Sequence, residues 1–235
     1  MTDADDFLFA TQELFDFYKN KYVRRIARQN PGLPVRELRA ELETVNRNIH
    51  HKVGVRPTRW FVVADELAKL HRHEMKLRRS ITDPANIGIF ATLYRSTPQL
   101  LPGALTTVRA LYHTGLPLIM VTNANVEWTY IKLRKSRILK YFTHIEIISE
   151  NVPTKNHFDW ERAATHSGIK PRRSLAMGDS LSSDIQPAAV AKYRILIWAP
   201  REWSNSLSSG DIPKKTIQIS GVKEVISTLT SLSDV

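Results

Sequence analysis

The alternation of short apolar segments with helical ones constrains the fold of this chain more than any other feature of its sequence. Apolar runs of strand length occur at residues 116–121, 145–148, 174–177 and 193–198. Segments with helical spacing separate them, at residues 126–137, 156–167 and 184–191. Strands and helices that alternate at this spacing predict a parallel sheet with helices on both faces.

The first half of the chain has helical periodicity instead. Apolar residues recur at steps of three and four along residues 15–26, 35–49 and 60–70, and another apolar segment follows at 87–94. Proline and glycine residues separate these segments, and Thr58 is placed to cap the third helix. The pattern predicts a small bundle of three or four helices.

Composition excludes several classes of protein. The chain has 235 residues, of which 42% are hydrophobic and 24% charged, as in one globular domain with room for an insertion. No apolar run approaches the ~18 residues of a membrane helix. The acidic N-terminus lacks the pattern of a signal peptide, so we expect a cytoplasmic protein with no membrane contact. Since the chain has no cysteine, disulfides, thiolate zinc sites and cysteine nucleophiles are excluded.

Positive charge is concentrated in the helical half. The net charge is +11 overall, and residues 21–80 hold 15 Lys/Arg against 6 Asp/Glu. Such a surface favours anionic partners, either phosphorylated metabolites or nucleic acid. A solvated helical face is the commoner explanation of such charge, and no nucleic-acid-binding motif accompanies it. None of these features predicts an oligomeric state.

Polar residues follow the predicted strands at the edge where ligands bind in parallel α/β sheets. They are Thr122-Asn123, Ser149-Glu150 and Gly178-Asp179-Ser180, with Lys155 and Asp184 further along the chain and Asp3, Asp5 and Asp6 at its beginning. Carboxylate oxygens are the ligands that Mg²⁺ requires, and a lysine is a compact countercharge for phosphate. A carboxylate can also attack phosphorus and form an aspartyl-phosphate.

These residues resemble the four motifs of the haloacid dehalogenase-like (HAD) hydrolases. Residues 3–8 are similar to the first motif, DxDxT, and Val121-Thr122-Asn123 to the second, a strand that ends in Thr or Ser. Lys155 falls where the lysine of the third motif is expected. Residues 178–185 resemble the fourth motif, GDxxxxD, and carry the most specific of these signals.

The resemblance implies a fold and a domain organisation. The fold would be a three-layer Rossmann-like parallel sheet with an inserted α-helical cap of the small C1 type. Residues 1–10 and 97–235 would form the core and residues 11–96 the cap. Within the cap, Trp60, His71 and His73 could contact a substrate, although packed or solvated helix positions of this kind are more common.

The resemblance also implies a role for each site residue. Asp3 would attack phosphorus, and Asp5 would act as general acid and then as general base. Thr122, the Asn123 backbone and Lys155 would hold the phosphoryl oxygens. The Mg²⁺ ligands would be Asp3, Asp179 and Asp184, together with the backbone carbonyl of Asp5.

The sequence departs from the family pattern at three places. Phe7 stands where the first motif has threonine, which removes a hydroxyl and is expected to put a large ring near the site. Lys192 replaces a glycine at a turn. Only Met1 and Thr2 precede Asp3, so the first strand is expected to be missing or truncated, and a native chain that starts upstream of Met1 is favoured over a decayed family member.

The predicted function is a Mg²⁺-dependent phosphatase that acts on a small phosphorylated metabolite. A catalytically impaired HAD-like binding module is the alternative that Phe7 and the short first strand support. A nucleic-acid-associated phosphatase ranks last, because the basic segment alone supports it. A dehalogenase is disfavoured, since dehalogenases of this family are metal-free and residues 178–185 indicate a metal site.

Overall fold

The computed structural model describes residues 1–201, 204 and 210–233. The chain divides into two compact units. The α/β unit comprises residues 1–12, 98–148 and 154–235, and the helical unit comprises residues 13–97 and 149–153. Residues 149–153 join the helical unit because the backbone amides of Val55 and Arg56 donate to the Glu150 carbonyl, at 2.9 and 3.1 Å. The role of the helical unit as a cap stays a prediction.

The helical periodicity of the first half is confirmed, with one helix more than expected. The helices are α1 (Thr11–Gln29), α2 (Val35–Val53), α3 (Arg59–Leu70), α4 (Met75–Thr82) and α5 (Pro84–Leu93). Trp60 is buried and stacks on Phe90, with ring centroids 3.8 Å apart. The predicted cap at Thr58 is wrong: its own backbone is already helical, and its hydroxyl makes no capping hydrogen bond.

The α/β unit contains the predicted parallel sheet. Its strands are β1 (Ile119–Asn123), β2 (His144–Ile148), β3 (Leu175–Gly178), β4 (Ile195–Trp198) and β5 (Thr216–Gln218). Strand β1 pairs with β2, and β4 pairs with both β3 and β5, always in parallel. The connecting helices are α6 (Ala104–His113), α7 (Val126–Lys135), α8 (His157–His166), α9 (Gln186–Val190) and α10 (Val225–Ser233). Gly168 follows the C-cap of α8 with a left-handed φ of 65°.

Thr2 occupies the central position of the sheet, between β1 and β3. It bridges to Met120 on one side and Met177 on the other, both in parallel. Four backbone hydrogen bonds hold it there: Thr2 N to Ile119 O, Val121 N to Thr2 O, Asp3 N to Met177 O and Met177 N to Met1 O, at 2.9–3.0 Å. The segment before Asp3 therefore contributes one bridging residue, Thr2, to the centre of the sheet.

Two apolar layers cover the faces of the sheet. Alternate residues along a strand point to opposite faces, so Met120 packs in one layer while Ile119 and Val121 pack in the other. Phe7 is buried in the Met120 layer, and Trp160 of α8 in the opposite one. A sheet covered on both faces has the three-layer architecture that was predicted. None of the helices in the part of the chain that the structure describes combines the length and the hydropathy that a bilayer span needs.

Candidate active site

Three carboxylates that are far apart in sequence meet at the carboxyl edge of the sheet. Asp3 follows the bridging Thr2, Asp179 follows the last residue of β3, and Asp184 lies five residues later. All three are buried, and each offers an oxygen within 4.8 Å of the others. The structure thus brings together the three side chains that the sequence proposed for a metal.

Gly178 and a single-turn π-helix determine where the Asp184 carboxylate lies. The π-helix (Leu181–Ile185) starts after Ser180, whose hydroxyl accepts from the backbone amide of Ser183. The turn brings Asp184 back toward the strand, where its Oδ2 accepts from the Ser180 amide at 3.0 Å. A Cβ on Gly178 would lie 2.3 Å from that carboxylate oxygen. Glycine is therefore required here by close approach.

Lys155 is the cation of the cluster. Its Nζ pairs with Asp3, lies 2.7 Å from Asp184 Oδ1, and donates to the Val121 carbonyl at 3.3 Å. Local structure fixes this lysine, since its backbone amide donates to Ser183 Oγ at 3.1 Å. A capping box made by Asn156 and Asp159 begins α8 immediately after it. Lys155, which as a single lysine is an unspecific sequence signal, therefore lies among the acidic residues of the predicted site.

The electrostatics of the cluster suit a divalent cation. Burial, reinforced by the neighbouring carboxylates, raises the pKa of Asp3 to about 7 although Lys155 opposes it. Burial, together with the carboxylates of Asp184, Asp3 and Asp6, holds the pKa of Asp179 well above its usual range. Burial would lower the pKa of Lys155, but Asp184 and Asp3 outweigh it and raise the pKa. Three carboxylates against one ammonium give a formal excess of two negative charges, which fits Mg²⁺.

Thr122 and Asn123 end β1 at the same edge. Because Thr2 is paired with Met120, Asp3 is level with Val121, and the two predicted phosphate-binding residues extend just beyond it. Thr122 is buried. The side chain of Asn125 then caps α7 by accepting from the Trp128 amide at 2.9 Å. The strand end and the helix start that follow it are thus fixed by their own hydrogen bonds.

Asp5 has partners that the sequence reading missed. Its Oδ1 accepts from the Thr11 hydroxyl at 2.6 Å and pairs with Lys132 of α7. Lys132 gave no signal, because a charged residue on a helix normally predicts an outward face. Phe7, which was expected to put a large ring near the site, is buried in the apolar core in one cluster with Met120 and Met177.

Asp6 is a further acidic residue of the first motif with a structural setting of its own. Its φ of 58° is left-handed, and its Oδ1 accepts from the Gln12 amide at 2.8 Å. Burial raises the pKa of Asp6 to about 7, against the lowering effect of that hydrogen bond. Its carboxylate therefore closes the loop between Asp5 and α1.

Within the helical unit, the three side chains suggested as substrate contacts have other surroundings. Trp60 belongs to the packed core, which contradicts its suggested role. His71 Nε2 lies 2.7 Å from Glu41 Oε2. His73 is exposed, and its suggested role stays a prediction.

Comparison with known proteins identifies a family model and a curated relative. The model described as haloacid dehalogenase-like hydrolase matches residues 10–192. Phosphoglycolate phosphatase of Nitrosococcus oceani is 32% identical over 114 residues, which are 46% of this chain and 50% of that protein. The chain therefore spans about half the length of the curated relative that it matches.

Solved structures match nearly the whole chain. A haloacid dehalogenase-like hydrolase from Xanthomonas campestris has a TM-score of 0.75 at 15% identity, and the match covers 98% of this chain and 89% of that one. A HAD hydrolase from Bacillus subtilis, described as bound to magnesium, has a TM-score of 0.69 at 20% identity, with 97% and 96% covered. At these identities the likeness shows the fold alone. The predicted Rossmann-like fold with a helical insertion is confirmed.

Proposed function

The chain belongs to the haloacid dehalogenase-like hydrolases, and we propose that it is a Mg²⁺-dependent phosphatase that acts on a small phosphorylated metabolite through an aspartyl-phosphate. The observation that carries this proposal is the buried cluster of Asp3, Asp179 and Asp184 with Lys155 at the carboxyl edge of the sheet. A nucleophile, metal ligands and a phosphate countercharge are thereby within reach of one bound phosphoryl group.

The Mg²⁺ would be held by the three clustered carboxylates and the Asp5 carbonyl, with water and substrate oxygens completing its coordination. When bound, the metal supplies positive charge that offsets the repulsion between the anionic nucleophile and an anionic phosphate. The excess of two negative charges in the cluster supports this assignment, as does the magnesium described in the Bacillus subtilis structure.

Hydrolysis would proceed in two displacements at phosphorus. In the first, an Asp3 carboxylate oxygen bonds to phosphorus while the ester P–O bond breaks, and the leaving oxygen takes a proton from Asp5. In the second, water attacks phosphorus and gives its proton to Asp5, and the Asp3–phosphorus bond breaks to release phosphate. Lys155, the Thr122 hydroxyl and the Asn123 amide would hold the phosphoryl oxygens throughout.

The substrate class is proposed from charge and from the relative. Phosphoglycolate is the compound that the name of the Nitrosococcus oceani relative specifies, and it is a small phosphorylated anion. The surplus of Lys and Arg in residues 21–80 would favour such an anion. We therefore place phosphoglycolate first in a panel of small phosphorylated metabolites.

Replacement of the nucleophile tests the proposal. The Asp3→Asn variant should lose Mg²⁺-dependent phosphate release from p-nitrophenyl phosphate and phosphoglycolate by roughly 10³-fold or more. Asp65→Asn is the matched control, because the Asp65 side chain is 64% exposed in the helical unit, and it should keep full activity. Turnover retained by Asp3→Asn would remove Asp3 from the nucleophile role. A wild-type chain that binds Mg²⁺ and phosphate without turnover would instead favour the binding-module alternative.

A further inference from the structure

Lys132 is a charged side chain in an unusual place. Its side chain has 0% exposure in the last turn of α7, and it pairs with Asp5, 127 residues away along the chain. Lysines are almost never fully buried unless they are paired, because removal of an ammonium from water costs several kcal/mol. The ion pair with Asp5 offsets this cost. Asp5 is the proposed general acid and base of the reaction.

Two aromatic rings also contact the Lys132 ammonium. The Lys132 Nζ lies 4.2 Å from the centroid of the Trp128 ring, one helical turn earlier, and 5.6 Å from that of Phe9. Ring faces attract a cation and prevent water from approaching it. Among the residues that the structure describes, Asp5 is the one carboxylate with which Lys132 forms an ion pair. The Lys132 ammonium is therefore held in one position, beside Asp5.

The two donors to Asp5 converge on the same oxygen. Both Lys132 Nζ and the Thr11 hydroxyl engage Oδ1, and neither of these contacts uses Oδ2. An oxygen that already accepts a charged and a neutral hydrogen bond is a poor place for a proton that must be transferred. The Asp5 side chain is also 24% exposed, and Oδ2, which makes neither of these two contacts, is left for a reacting group.

We propose that Lys132 is a positioning residue that anchors Asp5 through Oδ1, so that Oδ2 carries the proton exchanged with the leaving group and with water. The proposal deepens the phosphatase function above and rests on it. It adds no group that touches substrate: Lys132 acts through Asp5. A purely structural lysine would stabilise the fold and affect all substrates alike, whereas a positioning residue affects proton donation selectively.

Leaving-group chemistry separates these two roles. Phenyl phosphate and p-nitrophenyl phosphate are similar in size, but phenol, like the tyrosine side chain, has a pKa of about 10, whereas p-nitrophenol is far more acidic. Expulsion of phenolate therefore needs protonation by Asp5 much more than expulsion of p-nitrophenolate does. Because kcat/KM reports formation of the aspartyl-phosphate, the ratio of kcat/KM for the two esters measures how well Asp5 donates its proton.

The test compares Lys132→Met with wild type on both esters in saturating Mg²⁺. We expect kcat/KM for phenyl phosphate to fall about tenfold further than that for p-nitrophenyl phosphate, a part of the ~10²–10⁴-fold that general acid catalysis contributes. Lys135→Met is the matched control, since Lys135 is exposed on the same helix, and it should leave the ratio unchanged. Equal losses on the two esters would overturn the proposal in favour of a structural role.

A second variant keeps the test decisive if Lys132→Met does not fold. Thr11→Val removes the neutral donor to the same Oδ1 and should change the ratio in the same direction by a smaller factor. An unchanged ratio in that variant would overturn the anchoring model. Failure of the proposed function has a different signature, because a wild-type chain without Mg²⁺-dependent turnover of either ester overturns both conclusions, whereas wild-type turnover with equal losses overturns this inference alone.

Discussion

Replacement of Gly178 by alanine keeps both aspartates of the fourth motif but should disturb their arrangement. The added Cβ would lie 2.3–2.6 Å from three atoms of the Asp184 side chain, closer than real Cβ contacts allow. Either the turn after β3 or the carboxylate must move. The carboxylate cannot move without weakening the hydrogen bond from the Ser180 amide (3.0 Å) and the ion pair with Lys155 (2.7 Å).

The expected loss of stability follows from these contacts. Overpacking of a buried site costs ~1–3 kcal/mol, and a hydrogen bond to a charged group contributes ~1.5–3 kcal/mol. Since the two effects act on the same side chain, they do not add fully. We expect Gly178→Ala to destabilise the chain by ~3 kcal/mol, which lowers Tm by roughly 6–12 °C in a chain of this size.

The assay is thermal unfolding with and without Mg²⁺, followed by circular dichroism. Gly221→Ala is the control in the same unit, because a Cβ there would have no atom within 4 Å and the φ of 168° is extended. The control should be unchanged or more stable by up to ~1 kcal/mol. Mg²⁺ should raise the Tm of the control and of wild type, but that of Gly178→Ala less. A Gly178→Ala chain as stable and as responsive to Mg²⁺ as its control would refute the reasoning.

Two further predictions concern other parts of the α/β unit. Burial alone would raise the pKa of Glu146, but hydrogen bonds from Arg162, His144 and His166 outweigh it and lower the pKa to about 2. The stabilisation by this carboxylate should be present above its unfolded pKa of about 4.3 and be lost as pH falls toward 2. In that pH range, Glu146→Gln should therefore reduce the slope of the free energy of unfolding against pH. Urea midpoints of the variant that keep the wild-type slope would contradict this. Lys192 has a left-handed φ of 66°, so Lys192→Gly should raise the free energy of unfolding by up to ~1 kcal/mol and shift the urea midpoint upward. An unchanged or lower midpoint would count against strain at that turn.

The sequence predicted the elements whose signal is local. Four strands were expected and found because each contains a short apolar run, largely buried in β1, β3 and β4 and interrupted by Glu146 in β2, with bounds that shift by up to three residues. Three elements were missed: α4 in the first half of the chain, and β5 and α10 in the second. Strand β5 has three residues and is only partly buried or exposed, and α4 buries two side chains, so neither produces a strong apolar period.

The candidate site was predictable as a set of residues and not as a set of contacts. The motif at residues 178–185 and the order of the other motifs identified the carboxylates, and the parallel sheet explains why they meet. The pairing of Lys132 with Asp5 was not predictable, because it depends on the rotation of α7 against the first loop. The burial of Phe7 was missed for a related reason, since the left-handed turn at Asp6 directs the following residue into the core.

The buried position of Phe7 links the interior of the protein to its reactive edge. Only Asp6 separates Phe7 from Asp5 in sequence, and the ring belongs to the same buried cluster as Met120 and Met177 of the strands that flank Thr2. Natural variation among apolar side chains beneath the sheet would therefore alter the orientation of the carboxylates above it. In this chain, substitutions in the active site and in the apolar core beneath the sheet are expected to evolve together.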